Sequence, residues 1–239
     1  MSYSSEKQQK RILHASELSK RVKSGERELV ILDQLSLEVE RGESVAIVGS
    51  SGAGKSTLLG LLAGLDTPTA GELELFGQSL RALDEDGRAA LRAGRVGFVF
   101  QNFQLLPTLT AMENVMLPLE LAPRQDVAAK SRYWLTRVGL EARLDHLPKQ
   151  LSGGEQQRVA VARAFVGDPD LVFADEPTGN LDEETGKRII DLLFTLNRES
   201  GTTLILVTHD LSLARRCDRC LTLEGGTLKT VEQRHGAEA

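Results

Sequence analysis

Residues 45–62 read VAIVGSSGAGKSTLLGLL, and this stretch decides the fold. Val45-Ala46-Ile47-Val48 is an apolar run of strand length. Gly49-Ser50-Ser51-Gly52-Ala53-Gly54-Lys55-Ser56 follows, in the pattern G-x-x-x-x-G-K-S, and Thr57-Leu58-Leu59-Gly60-Leu61-Leu62 continues as a helix. Strand, glycine loop and helix in that order form a phosphate-binding loop. The glycines let the backbone curl so that several N–H groups converge, and the helix start adds its positive end. Lys55 supplies a point charge for outer phosphates, and the Ser56 hydroxyl is placed to ligate Mg²⁺. Gly49, Ser50, Ser51, Gly52, Ala53, Gly54, Lys55, Ser56 and Thr57 are therefore the candidate nucleotide-binding residues.

The rest of the chain supplies the setting. With 239 residues there is room for one large domain, or one domain with an insertion. A net charge of −5 argues against nucleic acid as partner. Basic residues near the start (Lys7, Lys10, Arg11, Lys20, Arg21, Lys23) are interrupted by Glu6, Glu17 and Glu26, which reads as a solvated face. The start lacks the apolar segment of a secretory signal, and no run reaches the about 20 apolar residues of a membrane span. A soluble, cytoplasmic chain is expected. Cys217 and Cys220 form C-x-x-C, read as structural thiols; one pair cannot complete a Cys₄ zinc site.

Residues 1–28 are polar and expected to be loose at the start. Leu35, Leu37 and Val39 alternate with polar residues, as do Leu73 and Leu75, which predicts strands of a small antiparallel sheet. Val96 to Gln101 reads as a buried strand ending in a polar residue. Ala111 to Leu121, ended near Pro123, and Val127 to Val138 read as helices, with a short apolar turn at Leu144 and Leu147. Leu171-Val172-Phe173-Ala174-Asp175-Glu176 is an apolar strand closing on two carboxylates. Ile189, Leu192, Leu193 and Leu196 recur at helical spacing, and Thr203 to Val207 is another buried strand, followed by Thr208-His209-Asp210.

Carboxylates beyond the end of a buried strand lie where parallel sheets gather ligands. Asp175 is the candidate Mg²⁺ ligand with Ser56, and Glu176, pointing elsewhere by strand alternation, is the candidate for polarising water. Leu151-Ser152-Gly153-Gly154-Glu155-Gln156-Gln157-Arg158 reads as a capped helix start, with Ser152 as cap and Glu155 at the capping-box position. Its glycines leave N–H groups bare for an anion, so the chain has a second phosphate-ready helix start.

These motifs, in this order, resemble those of ATP-binding cassette (ABC) ATPases over roughly residues 25–225. The resemblance implies an α/β fold: a P-loop NTPase (RecA-like) core with a small antiparallel β subdomain and an inserted α-helical subdomain. It implies one nucleotide-binding domain over residues 1–239, with the insertion at about residues 102–165. By resemblance Gln101 is the Q-loop glutamine and a further Mg²⁺ ligand, Leu151 to Gln156 the signature, Asp175 and Glu176 the Walker B acids, Leu181-Asp182 the D-loop and His209 the switch histidine. It implies ATP and Mg²⁺ as cofactors, and Glu176, His209 and Gln101 as catalytic residues. It implies a head-to-tail pairing with a second copy, in which Ser152, Gly153 and Gly154 meet the other copy's ATP, and it adds Asp182 to the nucleotide-binding residues. It also implies a separate integral-membrane permease that holds the chain at the inner face of the membrane.

The wording of Val96 to Val115 and of Ala174 to Asp182 resembles the branch that serves lipoprotein release, macrolide export and related FtsX-like permeases. Phe103, Leu105 and Leu106 are then candidates for the permease contact. One departure stands out: Val22 occupies the position where many members place an aromatic ring against adenine. Other readings are a soluble ABC ATPase of the iron–sulfur-assembly type and, more remotely, a P-loop kinase.

Overall fold

The structure, a computed structural model, describes residues 10–25, 27–120 and 126–233. The described elements run β1 (Arg11–Ser24), β2 (Arg27–Glu40), β3 (Ser44–Val48), α1 (Lys55–Leu62), β4 (Ala70–Leu75), β5 (Gln78–Ser79) and α2 (Glu85–Arg92). There follow β6 (Val96–Phe100), α3 (Ala111–Glu120), α4 (Val127–Arg137), α5 (Gly153–Phe165), β7 (Leu171–Asp175) and α6 (Glu183–Ser200). The chain closes through β8 (Thr203–Thr208), α7 (Leu211–Ala214), β9 (Arg219–Glu224) and β10 (Thr227–Gln233). The chain divides into two compact units, residues 1–91 with 205–239, and residues 92–204.

In the first unit, β2, β1, β4 and β5 form an antiparallel sheet in that order. One of its two longest members, β1, corrects the expectation of a loose start. β1 occupies residues 11–24, with Ile12, Leu13, Ala15 and Leu18 buried. Register shifts between Arg11 and Leu13 and between Ala15 and Leu18, and a left-handed Glu17 (φ 50°), break the two-residue alternation that would have marked it. The basic residues pair along its solvent side: Arg11 with Glu38, Lys20 with Asp66, and Arg21 with Glu28. Lys7, Glu6 and Glu26 lie outside the described residues.

The phosphate-loop strand β3 is buried at all five positions and runs parallel to β9, which pairs antiparallel with β10. Residues 205–208 of β8 lie beside it. Asp218 pins its start: the Ser44 N–H and hydroxyl donate to Asp218 Oδ2 at 2.8 and 2.7 Å. Helix α1 buries Leu58, Leu59, Leu61 and Leu62, each a contribution of about 2 kcal/mol to holding the loop in place.

In the second unit, β6 and β7 pair in parallel with Phe100 opposite Asp175, so both strands end at the same level. β6 is only partly buried: Val96, Phe98 and Phe100 are half-exposed, and their side lines a cavity. Gly97 is needed where α5 crosses, because a Cβ there would stand 2.3 Å from the Ala164 carbonyl oxygen. Helices α3, α4 and α5 pack on one another, with Trp134 of α4 against Phe165 of α5 at 5.7 Å between ring centroids. The Arg137 guanidinium lies over the Trp134 ring at 5.3 Å and pairs with Glu199. α3 contains Pro118, and its predicted end near Pro123 lies outside the described residues.

Candidate nucleotide-binding and hydrolysis residues

The predicted residues divide between the two units. The first holds Gly49 to Thr57 and His209. In the loop, Gly52 and Gly54 take left-handed backbone angles (φ 78° and 93°) that a side chain would strain. Gly49 is fixed by space: an added Cβ would lie 2.5 Å from the Leu223 carbonyl oxygen. Gly54 also packs against Ile31 of β2. Lys55 is buried, and its Nζ donates to the Gly49 and Ser50 carbonyl oxygens at 2.9 and 3.0 Å, drawing the loop into a ring. No side chain caps α1, so its first amides stay available to an anion, with Ser50, Ser51 and Ser56 exposed around them.

His209 is exposed just past β8. Its neighbour Asp210 caps α7 through the Ser212 amide at 2.7 Å, which fixes the backbone that carries the imidazole. Val22 and Leu29 face each other across the β1–β2 pair, both exposed, and Leu29 lies two residues before Ile31, which a Cβ on Gly54 would crowd. Both side chains are aliphatic.

The second unit holds Gln101, Ser152 to Gly154, Asp175, Glu176 and Asp182. Asp175 closes β7. Glu176 does not continue the strand: its φ of 45° turns the chain, and the Gly179 N–H donates to its carbonyl oxygen at 3.0 Å. A strained turn, rather than strand alternation, separates the two carboxylates. Asp182 caps α6 by accepting the Thr185 N–H at 2.9 Å, and that hydrogen bond holds its carboxyl below the ordinary range.

The signature start is the expected capping box. The Glu155 N–H donates to Ser152 Oγ at 3.3 Å, and Glu155 Oε2 accepts the Ser152 N–H at 2.8 Å and its hydroxyl at 3.0 Å. Arg143 Nε donates to the other carboxylate oxygen at 3.0 Å. The Ser152 amide first, then Arg143, lower the Glu155 pKa to about 2. The two glycines differ in purpose: a Cβ on Gly154 would collide with Thr185 of α6 at 2.5 Å, whereas Gly153 has ordinary clearance.

Several polar residues of this unit escaped the sequence reading. Asn180 Nδ2 donates to the Gln101 carbonyl oxygen at 3.1 Å and to Asn102 Oδ1 at 2.7 Å. Its own oxygen accepts Gln101 Nε2 at 3.3 Å, which leaves the Gln101 amide oxygen for another partner. Arg163 of α5 donates to the carbonyl oxygens of Phe103 and Gln104, two residues held in the left-handed region. The buried Gln157 donates from Nε2 to the Pro177 carbonyl oxygen. All of these are side chain to loop ties that need the fold to exist; only their amide and guanidinium chemistry was visible beforehand.

Ser56 of the first unit offers a hydroxyl, and Asp175 and Gln101 of the second offer a carboxylate and an amide oxygen, each a hard oxygen donor of the kind that Mg²⁺ takes. Among the described residues no group of three or more His, Cys, Asp or Glu side chains could hold a metal alone.

Comparison with known proteins agrees with this chemistry. The chain is 61% identical over 222 residues to the "Uncharacterized ABC transporter ATP-binding protein YbbA" of Escherichia coli K12, covering 91% of this chain and 96% of that one. It is 51% identical over 221 residues to the "Lipoprotein-releasing system ATP-binding protein LolD" of Pseudomonas syringae pv. tomato, covering 92% and 97%. A solved structure described as "Dimeric structure of a post-hydrolysis state of the ATP-binding cassette MJ0796 bound to ADP and Pi" superposes with a TM-score of 0.87 at 39% identity, over 95% of this chain and 100% of that one. The sequence profile of the ABC transporter family matches residues 32–179, the span from β2 to the Glu176 turn. The chain belongs to the ABC transporter family, as one of its ATP-binding, ATP-hydrolysing subunits.

Proposed function

We propose that this ATPase drives a permease that is a separate membrane protein, and that it works as two copies closed head to tail by ATP. The observation that carries the reading is the pair of phosphate-ready helix starts in different compact units: the uncapped start of α1, and the glycine start of α5. One nucleotide needs only one such start, so the second is accounted for by the nucleotide of another copy. The dimeric cassette structures to which the chain is similar support this.

In this reading the chain acts as a single nucleotide-binding domain, with the helical insertion at about residues 102–165 carrying the signature. Lys55 and the loop amides hold the phosphates, and Ser56, Gln101 and Asp175 hold Mg²⁺. Bound there, the metal supplies charge neutralisation at the terminal phosphate. Glu176 orients water and takes its proton, and His209 contacts the γ-phosphate. Ser152, Gly153, Gly154 and Asp182 meet the nucleotide of the other copy.

Among the described residues no helix is long and apolar enough to cross a membrane, so the membrane part belongs to the permease. The chain then sits on the cytoplasmic face of the membrane. A cavity of about 240 Å³ in the second unit, lined by Phe98, Phe100, Gln104, Pro118 and Arg163, suits an inserted permease segment. Leu106 is 47% exposed beyond it, whereas Phe103 and Leu105 are half-buried. The relatives named for lipoprotein release point to extraction or export through an FtsX-like partner. The experiment is a pull-down of tagged Glu176→Gln from membranes in mild detergent with Mg²⁺ and ATP. A stoichiometric multi-span protein supports the reading. Soluble partners alone, from a preparation shown to retain such complexes, would favour an ATPase of the iron–sulfur-assembly type.

A further inference from the structure

The signature start carries a carboxylate where it should receive a phosphate. Glu155 sits in the first turn of α5, and its Oε2 occupies both the Ser152 N–H and the Ser152 hydroxyl. The cap takes up the Glu155 amide but leaves those of Gly153 and Gly154 to an incoming anion. A phosphate oxygen reaching Ser152 must therefore approach a fixed negative charge and must compete with it for the hydroxyl proton. Like charges that close repel strongly when partly shielded from water. The side chain of Glu155 is 19% exposed.

Among the described residues a cation faces that carboxylate: Arg143 Nε lies 3.0 Å from Glu155 Oε1, reaching in from the short turn that follows α4. It contacts the oxygen that the cap does not use. The guanidinium thus draws charge from the carboxylate without displacing it from Ser152. A carboxylate held this way remains ionised at all physiological pH, so protonation offers no other route to neutrality.

We propose that Arg143 is a positioning residue for ATP-driven dimer closure: it neutralises Glu155 so that the Ser152 hydroxyl and the glycine amides can accept the γ-phosphate of the other copy's nucleotide. This rests on the head-to-tail reading above. Arg143 belongs to the second unit and the phosphate loop to the first, so the proposed role is in closure and not in holding the copy's own nucleotide.

The test uses full-length chain in the Glu176→Gln background and follows dimer formation against ATP concentration by light scattering. Binding of a fluorescent ATP analogue to the monomer is measured in parallel. Arg143→Ala is expected to raise the ATP needed for half-dimerisation by about tenfold, with analogue binding unchanged. Adding Glu155→Gln, which removes the charge but keeps a capping amide, is expected to restore dimerisation to within about twofold. Arg143→Lys should stay near the parent. Arg143 is 45% exposed, and thermal unfolding checks that each variant folds.

Dimerisation of Arg143→Ala at the parent's ATP concentration overturns the inference. So does a double variant no better than Arg143→Ala, which would make the pair a mere tether between turn and helix. A parent that stays monomeric at saturating ATP and Mg²⁺ overturns the head-to-tail reading itself and this inference with it.

Discussion

Gln157 Nε2 donates to the carbonyl oxygen of Pro177 at 2.6 Å, with the glutamine side chain fully buried. This bond joins the helix that begins at the signature to the residue immediately after Glu176. The turn at Glu176 is strained (φ 45°), and such a turn keeps its shape only if its surroundings hold it. Gln157→Met retains the volume and removes the donor. It is expected to cost about 1–3 kcal/mol, read from urea unfolding, and to lower kcat by about tenfold or more while KM for ATP stays near the parent value. An unchanged kcat would show that the turn holds itself.

Lys55 closes the phosphate loop through two carbonyl oxygens and provides its only lysine charge. Lys55→Ala removes both roles. ATP affinity, measured by titration with a fluorescent analogue, should fall by about tenfold to a hundredfold, and hydrolysis should be lost with it. Retained hydrolysis would contradict the assignment.

Glu176→Gln keeps the size of the side chain at the turn and removes the proposed base. Hydrolysis should drop by about a hundredfold or more at saturating ATP, with ATP binding intact. Single-turnover phosphate release reads the step directly. Turnover at the parent rate would move the role of base to another group.

The β1–β2 pair presents an exposed aliphatic surface at Val22 and Leu29, and Val22 holds the position at which the family resemblance expects an aromatic ring. A ring stacked on the base would contribute on the order of 1 kcal/mol. Aliphatic contact tells adenine from guanine poorly, because discrimination of that kind needs hydrogen bonds to the base edge. The ratio of kcat/KM for ATP to that for GTP should lie below about ten. A strong preference for ATP would place base recognition elsewhere, and Val22→Tyr should raise the ratio if it does not.

Glu155 makes a pH prediction of definite sign. Its folded pKa is depressed from 4.5 to about 2 by the Ser152 amide and by Arg143. Its contribution to stability is therefore complete above the unfolded value and is lost as pH falls toward the folded one. Urea midpoints of the parent and of Glu155→Gln, compared at pH 7 and at about pH 3, should converge as the solution is acidified. A gap that stays constant would show that the carboxylate charge contributes nothing.

The site was far more legible in the sequence than the ties that hold it. Gly49 to Ser56 announce a local conformation, and so does S-x-x-E at Ser152 to Glu155, because loop curl and helix cap are decided within a few residues. Strands β3, β7 and β8 were visible as unbroken apolar runs for the same reason: burial on both faces leaves no polar positions. β1 was hidden by its bulges, which put the adjacent Ile12 and Leu13 both inside. Asn180, Gln157 and Arg163 act across loops distant in sequence, and nothing in their immediate neighbours sets an amide or guanidinium apart from a solvated one.

Cys217 and Cys220, the two cysteines of the chain, are both buried, and burial pushes the Cys217 thiol up to about 12. At neutral pH only about one such thiol in 10⁵ is the thiolate that alkylating reagents attack. Cys217 is thus almost inert toward maleimides, and Cys220 is shielded from them by burial. A single cysteine placed on the exposed side of α6, as in Lys187→Cys, gives a unique attachment point for a fluorophore. Energy transfer between donor- and acceptor-labelled copies can then test in real time whether two copies close on ATP, on a sequence otherwise left intact.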